Sequence, residues 1–402
     1  MKNIWIVGVG EPLPVDGINE RLHRCGKQTE FLSKDNNVKW ITSDFNHSKK
    51  INRFNKDTIH NLNKYELHIL KTIPYKKNIS LIRFFSNFIF SIKLFFYLIK
   101  IAKKNVPDVI FCSFPTIENA FVVVIFCKIY KIKSIVDVRD AWPEIFYSFI
   151  NKKFYYLYKI IFLFSELITK LSFKHCDILM SISPYMLSWA QNYSSRSQVK
   201  MKNDRYMYFS YKNNLNMKKN NDKFLISHVG NLSHRVELET VIKAAQKIEK
   251  YNKNIEFYIC GRGELYDYFK SLAKNSKNII FTGWINERKI QEILSKSSLG
   301  IVPYASSFDF KMGIPNKVSE YLSFSLPILN CIDGHLSKII SDNSIGLNYK
   351  NKDIEDLEKK IINLYEDKEK FKIFTNNSKN LFLKNFDEER ELLKFKELIN
   401  FI

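Results

Sequence analysis

Short runs of β-branched and aromatic residues alternate with longer amphipathic stretches along nearly the whole 402-residue chain, and this alternation restricts the fold more than any other feature. Strands that alternate with helices pair in parallel, because each return connection passes over a face of the sheet. In the first half, residues 3–9, 38–42, 66–70, 109–112, 134–138 and 178–181 read as strands, with helical patterns between them, notably at 17–33 and 117–130. From about 191 to 222 the pattern fades into Asn, Ser, Lys and Tyr with no sustained apolar period, as in an interdomain connection. It then restarts. Strands at 224–229, 255–260, 279–282, 299–302 and 327–330 alternate with helices at 238–251, 265–275, 287–297 and 317–323, and 388–402 reads as a charged helix with an apolar face. The expected fold is α/β, with two Rossmann-like, doubly wound parallel-sheet domains facing a cleft. One spans 1–205, the other 206–385, and a helix at 386–402 returns to the first. Ligands of such sheets bind beyond the carboxyl ends of the strands.

Charge narrows the partners. The net charge is +22, and the first 200 residues carry 30 Lys and Arg against 15 Asp and Glu. A basic half of this kind suits a polyanion or an anionic lipid surface. Two stretches favour lipid. With Arg83 set at 0° on a helical wheel, Ser86, Lys93, Lys100 and Lys104 fall between about 260° and 300°, and the rest of 79–104 is mostly Phe, Ile, Leu and Tyr. Lys152, Lys159, Glu166, Lys170 and Lys174 likewise share one face of a second oily stretch. Nucleic acid is not expected, because the positive residues are diluted among apolar ones. No secretory signal is expected, since the apolar run Ile4-Trp-Ile-Val7 ends at Gly8. No span is expected either, because Arg83, Lys93 and Lys100 interrupt the longest apolar stretch. The six scattered cysteines form no Cys-x-x-Cys pair and read as buried thiols in a reducing compartment. The expected location is the cytoplasm, peripherally at the inner face of the membrane.

Four segments carry chemistry. Val7-Gly-Val-Gly-Glu-Pro-Leu-Pro-Val-Asp-Gly17 follows the first strand, and Gly10, Asp16 and Gly17 form a loop that a ligand's backbone-contacting groups could approach. Asp137-Val-Arg-Asp-Ala-Trp-Pro-Glu144 sets carboxylates and Arg139 at a strand's carboxyl end. His228-Val-Gly-Asn-Leu-Ser-His-Arg235 and Cys260-Gly-Arg-Gly-Glu264 are strand ends that offer Gly230, Asn231, Arg235, Gly261 and Arg262 to a diphosphate. In Gly313-Ile-Pro-Asn-Lys-Val-Ser-Glu-Tyr-Leu-Ser-Phe-Ser-Leu-Pro327, Pro315 and Asn316 start a helix whose free N–H groups can hold phosphate oxygens. Glu320 lies one turn in, within reach of ribose hydroxyls.

The order of these segments resembles the family 4 glycosyltransferases of the GT-B fold, in particular the branch that builds bacterial O-antigen and capsular polysaccharide. Pro-Asn-Lys-Val-Ser-Glu-Tyr-Leu is the most specific piece, followed by Val-Arg-Asp-Ala-Trp-Pro-Glu and Val-Gly-Asn-Leu; Thr282-Gly-Trp-Ile285 and Ile301-Val-Pro-Tyr304 also match. The resemblance implies a retaining transferase that moves a sugar from a nucleotide-sugar donor, expected to be a UDP-sugar, to a lipid-linked saccharide. It implies no metal ion or other cofactor. Glu320 would bind the ribose, the Asn316–Lys317–Val318 backbone the diphosphate, and Ile285 the base. Arg235 would stand where the family usually has a phosphate-binding lysine. Met312 stands where relatives often have a second glutamate. Arg139 stands where many have a histidine, which directs the acceptor-side role to Asp140, with Arg139 beside it. Two other readings stay open, a GT-B sugar-nucleotide epimerase and a non-catalytic, transferase-like subunit at the membrane.

Overall fold

The computed structural model describes residues 1–17, 21–77, 80–147, 155–217 and 222–402, without the side chains at 155, 157, 158 and 161. Lys152 of the second cationic stretch, residue 79 of the first, and residues 18–20 of the helix expected at 17–33 lie outside the described residues. Two compact units account for the chain, Met1–Met207 with Leu392–Ile402, and Tyr208–Glu391.

The first unit is built on an eight-stranded sheet. Its spatial order is Arg205–Tyr206, Ile178–Ser181, Lys133–Val138, Val109–Phe114, Asn3–Val7, Asn37–Ser43, Tyr65–Leu70 and Thr58–Leu62. All neighbours pair in parallel except the last two. Ile4, Trp5, Ile6 and Val7 are all buried, because helices cover both faces and a central parallel strand has no wet side. The end of the chain completes this core. Phe395, Leu398 and Ile399 of the helix Glu388–Phe401 are buried in it, Phe395 meets Phe111 edge-on at 5.1 Å, and Lys2 Nζ donates to the Ile399 carbonyl at 2.8 Å.

The second unit has six parallel strands in the order Ile279–Gly283, Ile255–Cys260, Phe224–Val229, Leu299–Val302, Ile328–Asn330 and Gly346–Asn348. One apolar core lies under the helices Leu238–Glu249 and Ile354–Glu366, and the other under Asn316–Ser323 and His335–Asn343. In both sheets the chain reverses its direction of winding at the first strand. Asn3–Val7 sits between Asn37–Ser43 and Val109–Phe114, and Phe224–Val229 sits between Ile255–Cys260 and Leu299–Val302. A doubly wound sheet opens its crevice at such a switch point.

Several elements differ from the periodicity. The helix expected at 17–33 runs only over Arg24–Leu32. The edge strand Thr58–Leu62 was not expected; it is a hairpin partner of Tyr65–Leu70, half-exposed and polar because one side of an edge strand faces water. Of the stretch 191–222, residues 218–221 lie outside the described residues, and residues 191–217 are more ordered than their composition suggests. They contain the end of the helix Pro184–Tyr193, the turn of helix Gln198–Met201 and the strand Arg205–Tyr206. A fully buried ion pair organises them. Arg196 Nε meets Asp204 Oδ2 at 2.7 Å, and Arg196 also donates to the Phe173 carbonyl at 2.6 Å. Such a core is held by charge rather than apolar area, so hydropathy does not show it.

The helix Leu81–Ala102 overturns one expectation. By length and composition it could cross a membrane, yet it lies on the first unit with Phe90, Leu94, Leu98 and Ala102 buried. The predicted basic stripe is split: Lys100 and Lys104 are exposed, but Arg83, Ser86 and Lys93 turn toward the protein. Ser86 is buried and donates to the Ile73 carbonyl at 2.6 Å, Arg83 lies over the Trp142 ring at 4.9 Å, and Lys93 pairs with Asp57 at 2.5 Å. The outward side is instead the apolar set Leu81, Ile82, Phe85, Phe88, Ile89, Ile92 and Phe96. Charged groups found partners on the neighbouring strand ends and loops, and the Phe and Ile side chains were left outside.

Candidate functional site

In the second unit, the carboxyl ends of three neighbouring strands, Phe224–Val229, Ile255–Cys260 and Ile279–Gly283, and the loops after them join through their backbones. Gly230 N donates to the Cys260 carbonyl at 2.9 Å, Leu232 N to the Arg262 carbonyl at 3.0 Å, and Gly261 N to the Gly283 carbonyl at 2.9 Å. Gly230 and Gly261 have φ of 151° and 136°, conformations that L side chains rarely adopt. A Cβ at Gly261 would strike the Gly230 carbonyl, and one at Gly230 would come within 2.8 Å of Lys317 Nζ.

Lys317 is the centre of this arrangement. It occupies the first turn of the helix Asn316–Ser323 and is only 7% exposed. Its ammonium lies 3.5 Å from His228 Nε2 and 4.6 Å from the centre of the Tyr304 ring. Tyr321 fixes the helix against the sheet, since its hydroxyl accepts from Val229 N at 2.9 Å and its ring fills the space beside Gly300. Burial pushes the Lys317 pKa down to about 7 and holds His228 well below the usual histidine range. With His228 neutral, Nδ1–H faces the Ile301 carbonyl at 3.4 Å and Nε2 accepts from Lys317. Glu320 follows one turn later on the same side and is buried. The first N–H groups of a helix lack intrahelical partners and carry positive potential. Added to a buried ammonium, they make a site for a phosphate-bearing anion.

The other sequence candidates fall around this centre in different ways. Arg235 pairs with the buried Asp309 carboxylate, and its guanidinium lies 4.1 Å from the centre of the Phe310 ring. Lys317, rather than Arg235, is therefore the cation set against the glycine strand end. Asp309 is the acid of the helix Phe308–Met312, and Met312 itself is buried. Arg262 is exposed and stacks over Tyr266 at 5.1 Å. Asn231 and Asn316 are exposed, Val318 belongs to the core, and Ile285 is half-buried beside the exposed Trp284.

In the first unit, Arg139 is half-buried between two buried acids. It pairs with Glu11, and its Nε meets Asp137 Oδ2 at 2.9 Å; Arg24 holds the same Asp137 oxygen at 3.1 Å. Glu11 also accepts from Cys25 N at 3.0 Å at the start of Arg24–Leu32. Burial works to raise the Glu11 pKa, but Arg139 outweighs it and keeps the carboxylate ionised. Asp16 accepts a bidentate contact from Arg53 at 2.5 and 2.6 Å and caps Leu13 N at 2.8 Å, so it closes the Gly10–Gly17 loop. Gly10 has φ of 80°, Gly17 φ of 146°.

Beside this network lies a cavity of about 240 Å³ at the carboxyl ends of the central strands. Gly10, Glu11, Arg139 and Asp140 form one wall, Ser113, Pro115, Thr116 and Asn119 a second, and the helix Leu81–Ala102 a third. The sequence pattern marked Arg83 only as part of a lipid-facing stripe, and Asn87, Thr116 and Asn119 not at all; Thr116 and Asn119 are short-range polar residues at a helix start that propensity alone explains.

Comparison with known proteins places this geometry. Residues 212–381 match the family model described as glycosyl transferases group 1. An uncharacterized glycosyltransferase of Methanocaldococcus jannaschii is 24% identical over 333 residues, 77% of this chain and 79% of that one. HepE of Anabaena, solved in complex with UDP and glucose, superposes with a TM-score of 0.66 at 11% identity over the whole of both chains. WaaG, a glycosyltransferase involved in lipopolysaccharide biosynthesis, does so with a TM-score of 0.64 at 13% identity over 99% of each. At such identities the structural likeness speaks for the fold, which is GT-B with two Rossmann-like units.

Proposed function

We propose, from the match of residues 212–381 to the group 1 glycosyl transferases, that this chain is a retaining glycosyltransferase moving a sugar from a UDP-sugar to a lipid-linked saccharide during synthesis of a bacterial surface polysaccharide. The observation that carries the donor half is Lys317, a buried ammonium in no ion pair among the described residues, set at a helix start beside two glycine strand ends. A buried cation of this kind is costly unless an anion joins it. A nucleoside diphosphate supplies that anion, and Glu320 accepts from its ribose. HepE was solved with UDP, which supports uridine as the base.

In this proposal the acceptor hydroxyl oxygen bonds to the anomeric carbon of the donor sugar, its proton passes to the Asp140 carboxylate, and the bond from that carbon to the diphosphate breaks. The diphosphate leaves with the electron pair. Lys317 and the start of Asn316–Ser323 stabilise its charge, a role that calls for no metal ion. Asp140, at the rim of the first unit's cavity, is assigned to the acceptor side. Arg139 is assigned to positioning, because its charge is spent on Glu11 and Asp137.

The apolar outer side of Leu81–Ala102 and that of Tyr155–His175, with Tyr156, Ile160, Leu163, Phe164 and Leu167 exposed, are assigned to an anionic membrane at its cytoplasmic face. Lys100, Lys103, Lys104, Lys159 and Lys174 flank these side chains and are exposed, so charge and apolar area favour the same surface.

The test is calorimetry of UDP, GDP and their sugar conjugates with wild type and Glu320→Ala. A UDP-sugar that binds wild type and binds the variant at least tenfold more weakly is expected. Wild type that binds no nucleotide sugar would refute the transferase reading.

A further inference from the structure

The 240 Å³ cavity of the first unit is lined by polar groups that the protein leaves unused. Among the described residues, the buried atoms Asn119 Oδ1, Thr116 Oγ1 and Asn87 Nδ2 of these lining side chains have no hydrogen-bond partner. Asn119 is 1% exposed and Thr116 6%. Buried polar atoms without partners cost about 1–3 kcal/mol each, so three around one cavity require an explanation in what fills it. Phe45, Tyr75 and Phe90 supply apolar wall. One acceptor and one donor amide, a hydroxyl and aromatic faces suit a neutral polyhydroxylated ring. The volume lies below the ~300–1,000 Å³ of pockets for drug-sized ligands, which leaves room for a single pyranose.

The third wall decides what the ring is attached to. At about 100° per residue, the cavity-lining Arg83, Ser86, Asn87 and Phe90 occupy one side of Leu81–Ala102. The exposed Leu81, Ile82, Phe85, Phe88, Ile89, Ile92 and Phe96 centre on the opposite side. One helix therefore offers a sugar-sized polar pocket on its inner side and a lipid-compatible surface on its outer side. The two are separated by one helix diameter, about 10–12 Å. Arg83, in the first turn, places a cation on the pocket side.

We propose that this cavity holds the reacting sugar of the acceptor, and that the acceptor is short, with one or two sugars on a phosphorylated lipid head. This rests on the transferase function proposed above and specifies its acceptor. A longer saccharide would carry its terminal hydroxyl away from a pocket only one helix from the lipid. The step that supplies such an acceptor is the joining of a first sugar, or sugar phosphate, to a lipid phosphate. The product, longer by one sugar, goes to further glycosyl transfer.

The experiment is calorimetry of the full chain in detergent micelles, without donor. The ligands are an undecyl diphosphate carrying N-acetylglucosamine, glucose or galactose, the same lipid carrying a tetrasaccharide, and the sugar-free lipid diphosphate. At least one monosaccharide conjugate is expected to bind tenfold or more tightly than the tetrasaccharide and sugar-free forms. Asn119→Leu and Thr116→Val are expected to weaken that binding at least tenfold, to hold or raise Tm because they remove unsatisfied polar atoms, and to leave UDP binding intact. Equal or tighter binding of the tetrasaccharide or the bare lipid, no binding by any monosaccharide conjugate, or unchanged binding by both variants overturns the proposal. Because no donor is present, loss of UDP-sugar binding counts against the proposed function and not against the acceptor site.

Discussion

Lys317 Nζ and His228 Nε2 face each other at 3.5 Å, both side chains buried, with Gly230 leaving the space above the ammonium open. The imidazole satisfies one of three ammonium protons and supplies no countercharge.

Lys317→Met should weaken UDP binding by roughly 10–150-fold, the equivalent of ~1.5–3 kcal/mol for charge-assisted hydrogen bonds. Uridine, which lacks the diphosphate, should bind the variant as it binds wild type. Relief from burying the charge opposes the orphaning of His228 Nε2, so Tm should move little. Calorimetry with the two ligands separates these effects, and equal losses for uridine and UDP would place Lys317 elsewhere than at the phosphates.

Affinity should also depend on pH. Burial lowers the Lys317 pKa to about 7, against about 10.4 in an unfolded chain. Between those values the unfolded state holds a proton that the native state has lost. The group's contribution to stability therefore rises with pH from about 7 to about 10.4, and its penalty is complete below 7. A diphosphate restores the proton, so UDP binding should take up a proton and weaken between pH 7 and 9, by up to tenfold per unit. Calorimetry in buffers of different ionisation enthalpy reads the uptake; a flat affinity across that range contradicts it.

Arg139 and Asp140 should separate structure from chemistry. Arg139→Met leaves Glu11 and Asp137 buried with one guanidinium fewer and should cost about 3–5 kcal/mol in urea unfolding. Asp140→Asn should cost about 1 kcal/mol or less. It should also lower the transfer rate at least tenfold if the carboxylate acts on the acceptor hydroxyl, for which general-base removal typically costs 10²–10⁴. Full transfer by Asp140→Asn would remove it from the chemistry.

Phe85 and Phe96 are 58% and 64% exposed, so Phe85→Glu with Phe96→Glu should leave Tm unchanged. Burying each ring in lipid contributes up to about 1.5–3 kcal/mol. Sedimentation with vesicles containing anionic lipid should then show at least tenfold weaker association. Association that survives the double substitution would assign the membrane to another surface.

Much of the fold was legible because parallel strands buried on both faces read as continuous apolar runs. Phe224–Val229, Ile255–Cys260 and Ile178–Ser181 fall where hydropathy puts them. Thr58–Leu62 escaped because an edge strand needs no apolar run, and the Arg196–Asp204 core escaped because its burial is compensated by charge. The segments proposed for the donor were visible as glycines at strand ends, since backbone approach leaves a mark in the sequence. Which cation serves them was not. Arg235 and Lys317 are equally plausible along the chain, and only the position of Asp309 and Phe310 decides that Arg235 is occupied and Lys317 is not.

The sequence by itself thus determined two doubly wound sheets, their order of elements and the glycine-bearing loops at the strand ends, because periodicity, glycine and helix starts act locally. Tertiary structure alone decided which charges are neutralised and which are held in reserve. It turned Arg83 and Ser86 inward and the Phe and Ile of the same helix outward, and it gathered Asn87, Thr116 and Asn119 around one cavity. Those outcomes depend on what residues distant in the chain bring to the same place, and pairwise electrostatics and burial act through space rather than along the sequence.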